Sequence, residues 1–205
     1  MNMTMPSDRI MNTHNYYQTN AKRFFDDTVH LDMENIRQAF LELIPEHGKI
    51  LDAGCGSGRD TLNFIKNGYE VVAFDFSEEM VKLASEHTGQ TILNISFEDI
   101  SFDDEFDGVW ASASLLHVPK KSIHTAISNL ARSLKRNGIL YSSFKYGENE
   151  INKNNRLFNN YTEFTFKSLV DSIGSLDLIR HWKTEDNRPE RKGEFWLNVL
   201  LLRKS

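Results

Sequence analysis

Ile50-Leu51-Asp52-Ala53-Gly54-Cys55-Gly56-Ser57-Gly58-Arg59-Asp60 carries an apolar strand straight into three glycines that open a helix. Glycines at such a turn accept positive φ and let a ligand approach the backbone closely. In an open α/β sheet, the crevice beyond the carboxyl end of the strand is where ligands sit.

Alternation continues downstream. Arg59 to Asn67 reads as a helix stopped by Gly68, and Glu70 to Phe74 as a strand of β-branched and aromatic residues. Ser77 caps the next helix, with Glu78 and Glu79 at its positive end. Thr91 to Ile95 and Asp107 to Ala111 are two more strands, separated by an acidic loop. Pro119 starts a helix to about Arg136, with Ile123, Ile127, Leu130, Ala131 and Leu134 as its stripe. Gly138 to Lys145 is a fifth strand, and Thr162 caps a helix through Ile173. Leu176 to Trp182 and Phe195 to Leu202 have only a polar loop between them, so they pair antiparallel. The expectation is a Rossmann-like α/β fold: an open sheet of seven strands, mostly parallel, one antiparallel C-terminal strand, and helices on both faces.

Upstream, Tyr16 to Ile44 is helical, with Asp32 capping a segment whose apolar face is Ile36, Ala39, Phe40 and Leu43. Residues 1–15 are polar and read as a flexible N-terminus, and residues 16–205 as a single domain in which 16–44 forms a helical lid. No apolar run approaches a membrane span, and no signal peptide is visible. Cys55 is the only cysteine, which excludes an intrachain disulfide or a Cys-based metal site and fits a cytoplasmic protein. A net charge of −5 gives no long basic footprint for nucleic acid.

Three readings compete for the glycine turn. A phosphate loop needs Gly-Lys-Ser/Thr at its end, which is absent. A dinucleotide fingerprint needs G-x-G-x-x-G, but Arg59 occupies the third glycine position and Gly58 comes one residue early. The remaining reading is S-adenosylmethionine (SAM), which has no phosphate but carries a sulfonium and an ammonium, so Asp52 two residues before the glycines makes electrostatic sense. Asp75 ends the second strand about 20 residues on, where an acid reaches ribose hydroxyls. Phe76 follows it and can pack on adenine.

Leu51 to Gly58 resembles motif I of the class I SAM-dependent methyltransferases, and Asp75 matches their ribose acid. Phe102 to Pro119 is similar to their fourth-strand region, and Leu134-Lys135-Arg136-Asn137-Gly138 to the turn before strand five, with Arg and Asn replacing Pro and Gly. The resemblance runs from about Tyr16 to the C-terminus. It implies a SAM site built from Tyr17, Asp52, Gly54, Cys55, Gly56, Ser57, Arg59, Asp75, Phe76, Met80, Phe97, Glu98 and Ala111, with S-adenosylhomocysteine as product.

Methyl transfer from SAM is an in-line displacement, so the protein mostly positions the acceptor and excludes water. Ala111-Ser112-Ala113-Ser114 at the end of strand four offers no carboxylate cage, so no metal is expected. That stretch also lacks the Asn/Asp-Pro-Pro-aromatic run of enzymes that methylate amino groups in DNA. His117 is the one histidine near the expected reaction centre. Tyr16, His117, Lys145, Tyr146, Arg156 and Tyr161 are candidates for a pocket that takes a small-molecule acceptor. A tRNA- or protein-modifying enzyme, served by the cations from Lys183 to Lys192, is the alternative, and a catalytically silent SAM-binding regulator is a third reading.

Overall fold

A computed structural model describes residues 8–186, 188 and 191–205 of the chain. Its elements in chain order are α1 (Asp8–Thr28), α2 (Glu34–Leu41), β1 (Lys49–Ala53), α3 (Arg59–Lys66), β2 (Glu70–Asp75), α4 (Glu78–Thr88), β3 (Leu93–Asn94) and β4 (Phe106–Ala111). They continue with α5 (Lys120–Ser133), β5 (Leu134–Lys145), β6 (Glu150–Lys153), β7 (Arg156–Asn159), α6 (Glu163–Ile173), β8 (Leu176–Glu185) and β9 (Phe195–Arg203).

Seven strands form one sheet in the order β3-β2-β1-β4-β5-β9-β8. Strands β1 to β5 pair in parallel, whereas β9 lies antiparallel between β5 and β8. The single antiparallel strand expected at the end of the chain is therefore β9, slotted inside the sheet.

Strand alternation fills both faces. Leu51, Val109, Ala111 and Leu140 point into one core with Ile123, Ile127 and Leu130 of α5 and Phe166 of α6. Ile50, Trp110, Ile139 and Tyr141 point the other way, against Phe40 of α2 and Phe64 of α3. Trp110 and Tyr141 stack there with ring centroids 4.1 Å apart. Period-two side chains sandwiched between helices are what a buried parallel sheet demands.

Several expectations need correction. The N-terminal helix begins at Asp8, so residues 8–15 are helical, while residues 1–7 of the segment expected to be flexible lie outside the described residues. The inward face of α1 carries Thr13, Ala21 and Thr28, too polar to register as an apolar stripe. In α2 it is Ile44, just past the helix, that is buried, and Leu43 is exposed. Helix α5 stops at Ser133 instead of near Arg136, because Leu134 already pairs with Phe106 in the sheet. The third strand shrinks to Leu93–Asn94 at the sheet edge.

The segment after β5 holds a second, two-stranded sheet, β6–β7, which the sequence reading did not find. Asn154 and Asn155 make its turn, with φ of 53° and 59°. Two consecutive left-handed residues are the mark of a type I′ hairpin, and asparagine tolerates them best after glycine. The hairpin meets α1: Leu157 N–H donates to Thr13 Oγ1 at 2.9 Å.

Candidate functional site

The glycine turn is shaped by what surrounds it. Gly54, Gly56 and Gly58 all have positive φ, at 74°, 54° and 72°. A Cβ on Gly54 would come within 2.6 Å of Ser114 Cβ, and one on Gly58 within 2.8 Å of Thr88. Gly56 N–H donates to Asp75 Oδ2 at 2.9 Å, while Asp75 Oδ1 accepts from Ser77 N–H at 2.9 Å. The acid at the end of β2 thus fixes the turn after β1 and the start of α4. Burial raises the Asp75 pKa, and the backbone donors of Ser77 and Gly56 oppose that shift.

Asp52 is buried at the base of the turn and accepts from the Thr61 hydroxyl at 2.6 Å. Burial first, then the charge of Asp60, push its pKa up to about 7. A carboxylate so placed gains most from a cation brought beside it. Asp60 behaves oppositely: burial would raise it, but the charges of Arg59 and Arg37 win and hold it below the usual carboxylate range. Asp60 accepts from Arg37 Nη1 at 2.9 Å, Arg59 Nη2 at 2.6 Å and Trp110 Nε1 at 3.0 Å. Burial and the charge of Asp52 push the Cys55 thiol well above its usual pKa, which makes it a packing residue and not a nucleophile.

Strand β4 runs into Ser112-Ala113-Ser114. Ala113 has φ of 51°, held there because its N–H donates to Ser143 Oγ at 2.8 Å and Ser114 Oγ donates to the Ala53 carbonyl at 2.7 Å. A short 3-10 turn, Leu115–His117, follows. His117 Nδ1 sits 2.6 Å from the Leu157 carbonyl, which only accepts, so Nδ1 carries the proton. Nε2 then accepts from the Tyr17 hydroxyl at 2.8 Å. Burial lowers the His117 pKa to about 4 and raises that of Tyr17 to about 12.

One cavity of about 310 Å³ joins these parts. Of the residues expected to bind the cofactor, Tyr17, Asp52, Gly54, Cys55, Gly56, Ser57, Arg59, Asp75, Phe76, Met80, Phe97 and Glu98 line it, as do the acceptor candidates His117 and Arg156. Ala111 is buried in the core instead, and the cavity is met by Ser112, Ala113 and Ser114 just beyond it.

The other acceptor candidates do not line the cavity. Tyr16 packs behind the guanidinium of Arg156, 4.3 Å from its ring centroid. Lys145 pairs with Asp186 at 2.7 Å and Glu194 at 2.8 Å. Tyr146 donates to Glu163 Oε2 at 2.8 Å, and Tyr161 is buried against Phe144 and Phe166. Sequence reasoning missed Thr13 and His14 of α1, and Asp186 and Asn198 at the far end. These come from elements whose register only the tertiary structure sets.

A family profile described as a methyltransferase domain matches residues 50–138. An uncharacterized methyltransferase of Staphylococcus carnosus (strain TM300) is 31% identical, with 76% of this chain and 88% of that protein covered. The chain belongs to the class I SAM-dependent methyltransferases. This methyltransferase also shares its fold with 1,6-didemethyltoxoflavin-N1-methyltransferase of Burkholderia thailandensis, solved with 1,6-didemethyltoxoflavin and S-adenosylhomocysteine. The TM-score is 0.79 at 19% identity, over 100% of this chain and 93% of that one. It is similar too to magnesium protoporphyrin IX methyltransferase of Synechocystis PCC 6803 with bound SAM, at a TM-score of 0.73 and 16% identity over 98% and 100% of the two chains. SAM is the cofactor of the methyltransferase.

Proposed function

We propose that this methyltransferase acts on a small-molecule acceptor, by in-line displacement and without a metal ion. The carrying observation is that one cavity continues from the glycine turn to a roof made by α1 and the β6–β7 hairpin, through Thr13, Tyr17, Arg156 and Phe158. A concave site with apolar walls and few convergent polar groups suits a small ligand.

The residues fit SAM. Asp52 and Arg59 would hold its amino-acid end against Gly54 to Ser57, Asp75 its ribose hydroxyls, and Phe76, Met80, Phe97 and Glu98 its adenine. When bound, SAM supplies a methyl group already activated by its sulfonium. The chain's own residues then orient the acceptor at about 3 Å and exclude water. Helix α1 serves as the lid. His117, neutral and fixed by Tyr17 and Leu157, supplies a polar edge at the end of β4. No cluster of three or more potential metal ligands occurs among the described residues, and the small residues Ser112 to Ser114 at the β4 end give a hard cation no carboxylate.

The nucleic-acid alternative draws on Lys183, Arg188, Arg191 and Lys192, of which the first two are already engaged. Lys183 lies over the Tyr146 ring at 4.5 Å, and Arg188 is bound to Asp186 at 2.7 Å. Conversion of SAM to S-adenosylhomocysteine with a small-molecule extract, against tRNA, tests the reading. Turnover is expected with the extract, unchanged by EDTA and little affected by salt. Methylation of tRNA alone, falling steeply as salt rises, would overturn it.

A further inference from the structure

We propose that Arg156 is the recognition site for a carboxylate on the methyl acceptor. The proposal rests on the small-molecule reading above and names the acceptor's class. It assigns the handle by which the acceptor is held, not the atom that is methylated.

Arg156 opens β7 immediately after the Asn154-Asn155 turn, so its position is set by the hairpin. It is 9% exposed, yet it lines the cavity. Its Nε is buried without a hydrogen-bond partner, and among the described residues no carboxylate forms an ion pair with it. The other well-buried arginines differ. Arg37 and Arg59 share Asp60, and Arg188 is held by Asp186.

An unpaired guanidinium taken out of water is costly, and no acid among the described residues offsets that cost. Two rings fix its plane: Tyr16 at 4.3 Å and Phe158 at 5.2 Å from the guanidinium carbon. They stack on its face, and at its edge it meets the Tyr17 hydroxyl, a neutral group that brings no counter-charge. The edge of a guanidinium is a rigid fork of parallel N–H donors, matched in spacing to the two oxygens of a carboxylate.

The neighbouring groups do not supply that anion. The Tyr17 proton is committed to His117, and the His117 ring is neutral. Nor is Arg156 placed for the cofactor's own carboxylate. It comes from the roof, beside Tyr17, His117 and Phe158, while Arg59 is the cation beside the glycine turn. Four arginines line the cavity: Arg59 and Arg188 are paired with Asp60 and Asp186, Arg191 acts on Glu194, and Arg156 has no carboxylate among the described residues.

The test uses the full-length protein saturated with S-adenosylhomocysteine. Formate, acetate and benzoate are compared with formamide, acetamide and benzamide at equal ionic strength, reading the thermal unfolding midpoint. Carboxylates are expected to raise the midpoint saturably and amides not. Arg156→Met is expected to erase that difference while the Kd for S-adenosylhomocysteine stays within about twofold. Arg156→Lys, which keeps the charge but not the fork, should weaken carboxylate binding by about tenfold, near 1.4 kcal/mol, and carries the test if the methionine variant does not fold.

Carboxylates and amides acting alike on the wild-type protein would overturn the proposal. So would a carboxylate effect that survives in Arg156→Met. A loss of S-adenosylhomocysteine affinity of about tenfold or more in that variant would give Arg156 to the cofactor instead. Absence of turnover with every small-molecule fraction, with the carboxylate effect intact, would remove the small-molecule enzyme and leave the Arg156 site standing.

Discussion

The Tyr17 hydroxyl donates a 2.8 Å hydrogen bond to Nε2 of His117, pinning α1 over the turn that follows β4. Tyr17→Phe removes the donor and leaves Nε2 without its partner. It should cost about 1–3 kcal/mol of stability in denaturant unfolding and weaken S-adenosylhomocysteine binding, because the lid loses its latch. The histidine itself is depressed from 6.5 to about 4. Its contribution to stability is thus fully present above about 6.5 and lost as pH falls through about 4. Nitrogen NMR should show the Nδ1–H tautomer, with no titration of His117 between pH 5 and 8. A midpoint near 6.5 would contradict the buried, latched ring.

Asp75 has two tasks, and two variants separate them. Asp75→Ala should weaken S-adenosylhomocysteine binding by about 1.5–3 kcal/mol, through loss of a charged acceptor for the ribose. It should also destabilise the protein, because Gly56 N–H and Ser77 N–H lose their shared acceptor. Asp75→Asn keeps one acceptor oxygen, so it should recover part of the stability and little of the affinity. Calorimetry on the two folded variants checks this; equal affinity to wild type in both would take Asp75 out of the cofactor site.

How far the sequence reveals this site depends on where each residue's partner lies. The glycine turn, Asp52 and Asp75 are legible because a strand, a positive-φ turn and a helix cap are local chemistry. The two cores are legible from alternation in Ile50-Leu51 and Val109-Trp110-Ala111. Lys145 and Tyr146 look like pocket residues because β5 carries them past the sheet end, yet Asp186 and Glu163, from distant elements, claim them. Thr13 and His14 were hidden for the opposite reason: a polar helix face lying on a cavity has no apolar period to read. Arg156 was nameable as a candidate, but its lack of a counter-charge exists only in three dimensions.

Asp52 makes cofactor binding pH-dependent. Its pKa rises from 3.8 to about 7 in the free protein, so its contribution to stability is fully present below 3.8 and lost as pH rises through about 7. An ammonium beside it pairs only with the ionised form. Affinity for S-adenosylhomocysteine should therefore increase between pH 6 and 7.5, approaching about tenfold per unit at the acidic end, with a proton released on binding. Calorimetry in two buffers of different ionisation enthalpy measures that proton directly. Asp52→Asn should bind more weakly and lose the pH dependence; a wild-type profile that is already flat would dissociate Asp52 from the ammonium.

Eight residues from Asp52, Asp60 carries the opposite sign, and the reason is the pair of arginines. Its pKa is lowered because Arg59 and Arg37 outweigh burial, so its contribution is present above the ordinary carboxylate pKa of 3.8 and lost as pH falls below it. Asp60→Asn leaves two buried guanidinium groups facing one neutral amide. Removing one partner of a buried pair costs about 3–5 kcal/mol, far more than a surface ion pair would. The loss should reach the cofactor as well, because Asp60 aims Arg59 through contacts at 3.1 Å and 2.6 Å, while the Thr28 carbonyl holds the third nitrogen at 3.3 Å. Urea unfolding at pH 7 and below pH 3.8 separates this from a general weakening. The wild type should lose stability between those pH values, and the variant should lose less because its acid-sensitive pair is already gone. An Asp60→Asn protein as stable as wild type at pH 7 would show that Arg37 and Arg59 find other partners, and that the network does not set Arg59 in place.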